Sequence, residues 1–223
     1  MLDFSDSIGM NAAKRPAAII FDLDGTLYVD LEFSREIARC AARYIAVVNG
    51  VPEERAAALI KETRRRLTES TGWEASLSLT CTELGGELRE LHRRFEAEID
   101  PLPFLTPDPR VPELLQALAG RYEIYLYTNN NRGLSGRIMD RIGISGLFRK
   151  VFTIEDSWHP KPDRETLEII YRAVGHPPGE CLFVGDRYDI DLRLPASLGS
   201  SVFCTQTLAR LLALINIIDE EKR

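Results

Sequence analysis

Two carboxylates one residue apart, Asp22 and Asp24, end the apolar run Ala17-Ala18-Ile19-Ile20-Phe21. Carboxylates this close repel, and partial burial makes both harder to ionise. Two arrangements tolerate the pair: a cation held between them, or a proton kept on one so that it serves as an acid. An EF-hand calcium loop also begins Asp-x-Asp, but its glycine position falls here on Leu27 and its closing glutamate on Phe33, so that reading fails. Asp-Gly is also ordinary turn chemistry, and partners downstream must decide between a turn and a site. Thr128 ends the apolar stretch Glu123–Tyr127, and Asp186 ends Cys181–Gly185, with Asp189 and Asp191 close behind. Between them Lys161 sits between Pro160 and Pro162, whose rings fix the local backbone and so help to aim the ammonium.

These groups need elements that bring them to one place. Ala17–Phe21, Glu123–Tyr127, Lys150–Thr153, Cys181–Val184 and Ser201–Phe203 read as strands. Helical segments at 112–119, 134–142, 164–174 and 189–198 alternate with them. That alternation predicts an α/β fold with a parallel sheet covered on both faces. Ligands of such sheets bind at the carboxyl ends of the strands, which is where Asp22, Asp24, Thr128 and Asp186 fall.

The stretch from Phe33 to Glu98 contains no convincing strand. Phe33, Ile37, Ala41, Tyr44, Ile45 and Val48 recur at helical spacing, and helices follow at 52–67, 77–84 and 87–98. It reads as an all-α insertion over residues 29–105, with residues 1–28 and 106–223 forming the sheet domain. Five prolines between 100 and 112 predict a stiff, extended return connector. Two connectors, near Tyr28–Asp30 and over Asp100–Pro109, suit a hinge, with the proline-rich one as its stiff arm. Within the insertion, Arg64–Arg66 reads as a solvated helix face, Trp73 as a core residue of the bundle, and His92, like His176, as a surface residue. Leu208, Leu211, Leu212, Ile215 and Ile218 at the C-terminal end predict a helix packed on its own core, hence a monomer.

Mixed charge, 28 basic against 34 acidic residues and a net charge of -6, argues against nucleic acid or an anionic membrane as the main partner. No apolar run is long enough to span a bilayer. Residues 1–15 read as a loose leader without the apolar core of a signal peptide, and Met10 is a candidate start. Four scattered cysteines, Cys40, Cys81, Cys181 and Cys204, form no Cys-x-x-Cys pair; they read as small hydrophobes in a reducing compartment, so the expected location is the cytoplasm.

Taken together, Asp22-Leu23-Asp24-Gly25-Thr26, Thr128, Lys161-Pro162-Asp163 and Gly185-Asp186-Arg187-Tyr188-Asp189-Ile190-Asp191 resemble the four motifs of the haloacid dehalogenase superfamily, over about residues 17–203. Phe21–Tyr28 and the position of the insertion resemble its phosphoglycolate phosphatase and pyrimidine 5'-nucleotidase branch. The resemblance implies a Rossmann-like core with a mobile helical cap. It also implies a Mg²⁺-dependent phosphatase for a small phosphorylated metabolite such as phosphoglycolate or a nucleoside monophosphate. Asp22 would be the nucleophile and Asp24 the acid and base. Mg²⁺ would be held by Asp22, the Asp24 backbone carbonyl and Asp186. Thr128 and Asn129 would bind phosphate with Lys161, and Asp191, with Asp189 as the competitor, would support Lys161 or a metal-bound water. Arg64–Arg66, Trp73 and Arg93-Arg94 are candidate substrate contacts in the cap. Rival activities are a sugar phosphomutase, a haloacid dehalogenase, which the presence of Asp24 disfavours, and a non-catalytic phosphate-binding module.

Overall fold

A computed structural model describes residues 16–220; the leader expected over 1–15 lies outside the described residues. Five strands, β1 (Ala18–Phe21), β2 (Glu123–Tyr127), β3 (Lys150–Phe152), β4 (Cys181–Gly185) and β5 (Ser201–Cys204), form one sheet in the order β3-β2-β1-β4-β5. All four pairings are parallel. β1 is central because it is apolar on both faces, as a strand covered on both sides must be.

The alternation of side chains divides the interior. Ile19, Phe21, Ile124, Leu126, Leu182 and Val184 face one layer; Ala18, Ile20, Tyr125, Tyr127 and Phe183 face the other. The first layer is covered by α5 (Arg110–Ala119), α6 (Arg132–Ile142), and the short C-terminal helices α9 (Leu208–Leu212) and α10 (Leu214–Glu220). Leu211, Leu214 and Ile218 enter this core, so the C-terminal segment packs on its own chain, as two helices rather than one. The second layer is covered by α7 (Arg164–Val174) and by Leu192, Leu194 and Ala196 around α8 (Arg193–Ser197).

Between β1 and β2 the chain forms α1 (Leu31–Asn49), α2 (Glu53–Thr71), α3 (Leu77–Glu83) and α4 (Leu88–Glu98). The Asp30 carboxylate accepts the Phe33 N–H at 2.8 Å and starts α1. Gly50, in the left-handed conformation, ends it.

Three expectations fail in this region. The proline-rich connector is not extended throughout: the Pro101 carbonyl accepts the N–H groups of Phe104 and Leu105 and closes a turn, as proline at a turn's start permits. Trp73 is not bundle core but 46% exposed, and His92 is not a surface residue but 2% exposed. α4 explains the histidine: Leu88, Leu91 and Phe95 recur at helical spacing, and position 92 falls on the same apolar stripe. The four cysteines are unpaired and three are buried.

Candidate active site

Parallel pairing brings the ends of β1, β2 and β4 to one rim. Asp22 follows β1 directly, and its N–H donates to the Val184 carbonyl at 2.8 Å, which extends the ladder by one residue and buries the side chain. Lys161 reaches this point from a loop far along the sequence. Its buried ammonium donates to Asp22 Oδ1 at 2.6 Å, Asp191 Oδ1 at 2.8 Å and the Tyr127 carbonyl at 2.9 Å. The Asn129 side-chain oxygen accepts the Lys161 N–H at 2.8 Å, fixing the loop that carries the lysine. Asp22 Oδ2 accepts from the Thr26 hydroxyl at 3.1 Å.

Asp24 is oriented separately. It accepts from the Tyr28 hydroxyl, from Asn130 Nδ2 at 2.7 Å and from the Thr128 hydroxyl at 3.3 Å. Tyr28 closes the stretch that carries Asp22 and Asp24, and Asn130 follows Thr128 by two residues; neither spacing by itself marks a partner of Asp24. The Asn131 side-chain oxygen caps α6, and its Nδ2 donates to the His92 carbonyl of α4 at 2.8 Å.

The third carboxylate, Asp186, follows β4. Oxygen atoms of Asp22, Asp186 and Asp191 lie within 4.8 Å of one another. Asp186 Oδ1 is buried without a hydrogen-bond partner. Gly25 makes room for this carboxylate: a Cβ there would stand 2.4 Å from Asp186 Oδ2, and φ is +83°, where side chains are strained. A charged neighbour of Asp186 Oδ1, Arg187 Nε, stands at 3.8 Å, too far to hydrogen-bond, and a buried carboxylate oxygen without a hydrogen bond in a cluster of carboxylates fits a hard divalent cation. Burial raises the Asp22 carboxyl to about 8; Lys161 opposes this, while Asp191, Asp24 and Asp186 add to it. Burial, then Asp191, raises Asp186 to about 6. Burial works to lower Lys161, but Asp191 and Asp22 outweigh it and hold the lysine above its usual range. The side chains alone therefore do not favour an ionised Asp22, and a second positive charge in the cluster acts in the direction that does.

Asp189, the alternative to Asp191, points elsewhere: its Oδ2 accepts the Glu74 N–H of the inserted segment at 3.0 Å. Asp24, Gly25, Asn129, Asn130, Asp186 and Arg187 form the floor of a cavity of about 780 Å³. Its roof comes from the inserted helices and includes Ile37, Ile60, Lys61, Arg64, Leu77 and Phe95. The size is that of a small-molecule site. Of the arginine run, Arg66 makes an exposed ion pair with Glu83, as a solvated face would, whereas Arg65, paired with Glu69, lines the cavity with it. Arg64 is half-buried and donates to Glu74 and to the Ala75 carbonyl.

A five-stranded parallel sheet with acidic strand ends, a buried lysine and a helical insertion after the first strand defines a class of α/β hydrolases. The chain belongs to the haloacid dehalogenase-like hydrolase family, which it matches over residues 16–199. It is 29% identical over 178 residues to pyrophosphatase PpaX of Bacillus velezensis, covering 78% of this chain and 76% of that protein. It is 27% identical over 188 residues to phosphoglycolate phosphatase of Pseudomonas syringae, covering 78% of this chain and 64% of that one. Glyceraldehyde 3-phosphate phosphatase of Methanopyrus kandleri is 25% identical over 181 residues, with 79% and 78% covered. Among solved structures, HAD-hydrolase YfnB of Bacillus subtilis superposes with a TM-score of 0.56 at 16% identity, covering 91% of this chain and 100% of that one. A 2-haloacid dehalogenase of Pseudomonas syringae gives 0.57 at 18% identity, with 92% and 99% covered. At such identities the likeness concerns the fold. Among the described residues no helix is long and apolar enough to cross a membrane.

Proposed function

We propose that this enzyme is a Mg²⁺-dependent phosphatase that hydrolyses a small organic phosphomonoester through an aspartyl-phosphate on Asp22. The observation that carries the reading is the pair of carboxylates in different settings: Asp22 buried against Lys161 Nζ at 2.6 Å, Asp24 held by Tyr28, Thr128 and Asn130. Asp22 would hold the cation with Asp186 and the backbone carbonyl of Asp24. When bound, Mg²⁺ neutralises phosphoryl charge and favours the ionised form of Asp22.

An oxygen of Asp22 attacks phosphorus, the bond from phosphorus to the ester oxygen breaks, and Asp24 gives its proton to the departing alkoxide. In the second half Asp24 takes a proton from water, whose oxygen attacks phosphorus. The acyl-phosphate bond to Asp22 breaks, and inorganic phosphate and the Asp22 carboxylate result. Lys161 offsets the charge that gathers on the transferring group, Asp191 orients Lys161, and Thr128 serves phosphoryl oxygens. Asn129 holds the Lys161 loop through its side-chain oxygen and offers its amide group to the phosphate.

Residues 29–105 act as the cap and residues 16–28 with 106–220 as the core, with substrate choice in the cap. The relatives' names supply the first substrates to try: phosphoglycolate, glyceraldehyde 3-phosphate and pyrophosphate, with nucleoside monophosphates alongside them. The enzyme acts as a cytoplasmic monomer without nucleic-acid or membrane partners, and light scattering tests the mass. The central test is phosphate release from p-nitrophenyl phosphate. Activity is expected to need Mg²⁺ and to vanish in excess chelator and in a folded Asp22→Asn variant. Full activity in either case would refute the assignment.

A further inference from the structure

The chain has two tryptophans, and each meets an arginine where the inserted helices touch the sheet domain. Trp73, in the turn after α2, lies under Arg193 of α8, with the guanidinium carbon 4.1 Å from the ring centroid. Trp158, in the loop after β3, lies under Arg89 of α4 at 4.3 Å, with the His92 ring edge-on at 6.3 Å. The stacks are reciprocal: the insertion gives the tryptophan to one and the arginine to the other. Both also land beside site residues, since Trp158 precedes Lys161 in the same loop and Arg193 follows Asp191 in the same turn.

The contact at Trp73 includes a hydrogen bond. Asp189 Oδ2 accepts the Glu74 N–H at 3.0 Å. Asp189 stands between Asp186 and Asp191 but takes no part in their cluster. The turn that carries Glu74 is itself fixed, because Arg64 donates to the Ala75 carbonyl at 2.9 Å and pairs with Glu74, and the Thr68 hydroxyl accepts the Ala75 N–H at 3.3 Å. Arg193 Nε is buried with no hydrogen-bond partner, and the face of Trp73 lies against the guanidinium.

We propose that Asp189 is a positioning residue for phosphoryl transfer: by accepting the Glu74 N–H, with the Trp73–Arg193 stack beside it, it couples the seating of the 72–76 turn to the geometry of the Asp186–Asp191 turn. The proposal rests on the phosphatase reading above for its kinetic consequence, but not for its structural one. With the 72–76 turn lifted, Asp189 and Arg193 return to water, and the segment carrying Asp186 and Asp191 loses its outer support. Asp189→Ala removes the acceptor, whereas Asp189→Asn keeps an oxygen in the same place.

The test uses a Trp158→Phe background, in which Trp73 is the sole tryptophan, and compares Asp189, Asp189→Ala and Asp189→Asn. Asp189→Ala is expected to red-shift Trp73 emission, to make it more readily quenched by acrylamide, and to lower kcat for p-nitrophenyl phosphate about tenfold with KM little changed, as loss of a bond to a charged acceptor implies. Asp189→Asn is expected to restore most of both. Unchanged quenching in Asp189→Ala, or an Asp189→Asn variant no better than alanine, overturns the proposal. Should Asp189→Ala fail to fold, Asp189→Leu, which also removes the acceptor, takes its place in the same comparison with Asp189→Asn, with the same expected direction and the same refuting results. A parent enzyme that releases no phosphate contradicts the phosphatase reading instead, and the quenching comparison still decides the contact.

Discussion

Protonation of His92 is expected to weaken the fold in acid by a calculable amount. The ring lies among Phe95, edge-on at 5.3 Å, Trp158, and the Ser78 hydroxyl, 3.3 Å from Nε2. Nδ1 is buried without a partner. Burial lowers its pKa from 6.5 to about 4. Above about pH 6.5 the imidazole is neutral in both the folded and the unfolded chain, and the pH costs nothing. Between 6.5 and about 4 the unfolded chain takes up the proton and the folded chain does not, so stability falls with falling pH; below about 4 both are protonated and the loss levels off. RT ln 10 for each pH unit across that window gives about 3 kcal/mol, a large share of the roughly 5–15 kcal/mol that holds a typical domain folded. Other groups titrate in the same range, Asp186 among them, so the quantity to measure is a difference. Urea unfolding of the wild type and of His92→Gln, each at pH 7.5, 6, 5 and 4, provides it. The stability advantage of wild type over variant should shrink by about 3 kcal/mol from the top of the series to the bottom. Parallel curves would refute the reasoning, because they would mean that the ring is solvated or already paired in the folded protein.

Two substitutions probe the site by other means. Lys161→Met leaves Asp22 and Asp191 buried without their cation and should destabilise by about 3–5 kcal/mol. The loss should be greater at pH 8 than at pH 5, because a carboxyl with a raised folded pKa keeps its proton at the lower pH; thermal melting at both values measures it, and equal losses would contradict the ion pairing. Gly25→Ala places a methyl against Asp186 at a positive φ and should cost about 1–2 kcal/mol in backbone strain. The rise in melting temperature on adding Mg²⁺ should disappear in this variant, and an undiminished rise would separate Gly25 from the Asp186 cradle.

The features legible in the amino-acid sequence are those that local pattern controls. Apolar runs of strand length ending in Asp22, Thr128 and Asp186 are visible because a strand covered on both faces must be apolar throughout, so its first polar residue marks its end. The long helical stretch between β1 and β2 is visible because its periodicity changes from that of the strands. Less legible were partners that depend on how a loop turns: Tyr28 and Asn130 on Asp24, Asn129 on the backbone of Lys161. The burial of His92 had a signal, its place on the apolar stripe of α4, but the exposure of Trp73 had none, since a bulky apolar ring beside a glycine turn is as compatible with a core as with a surface.

The sequence by itself determined the strand ends, the parallel class of the sheet and the inserted helices, because each follows from the order and spacing of polar and apolar residues along a short stretch. Only the tertiary structure decided which groups meet. Lys161 reaches Asp22 because β1 lies between β2 and β4, an order fixed by how whole faces pack. The same holds for Asp186, Asp189 and Asp191. A helical turn over Tyr188–Leu192 directs Asp191 inward to Lys161 and leaves Asp189 to Glu74. Direction in space depends on the backbone angles of that turn and on what covers it, and a one-residue change in either would exchange the two carboxylates without altering their spacing in the chain.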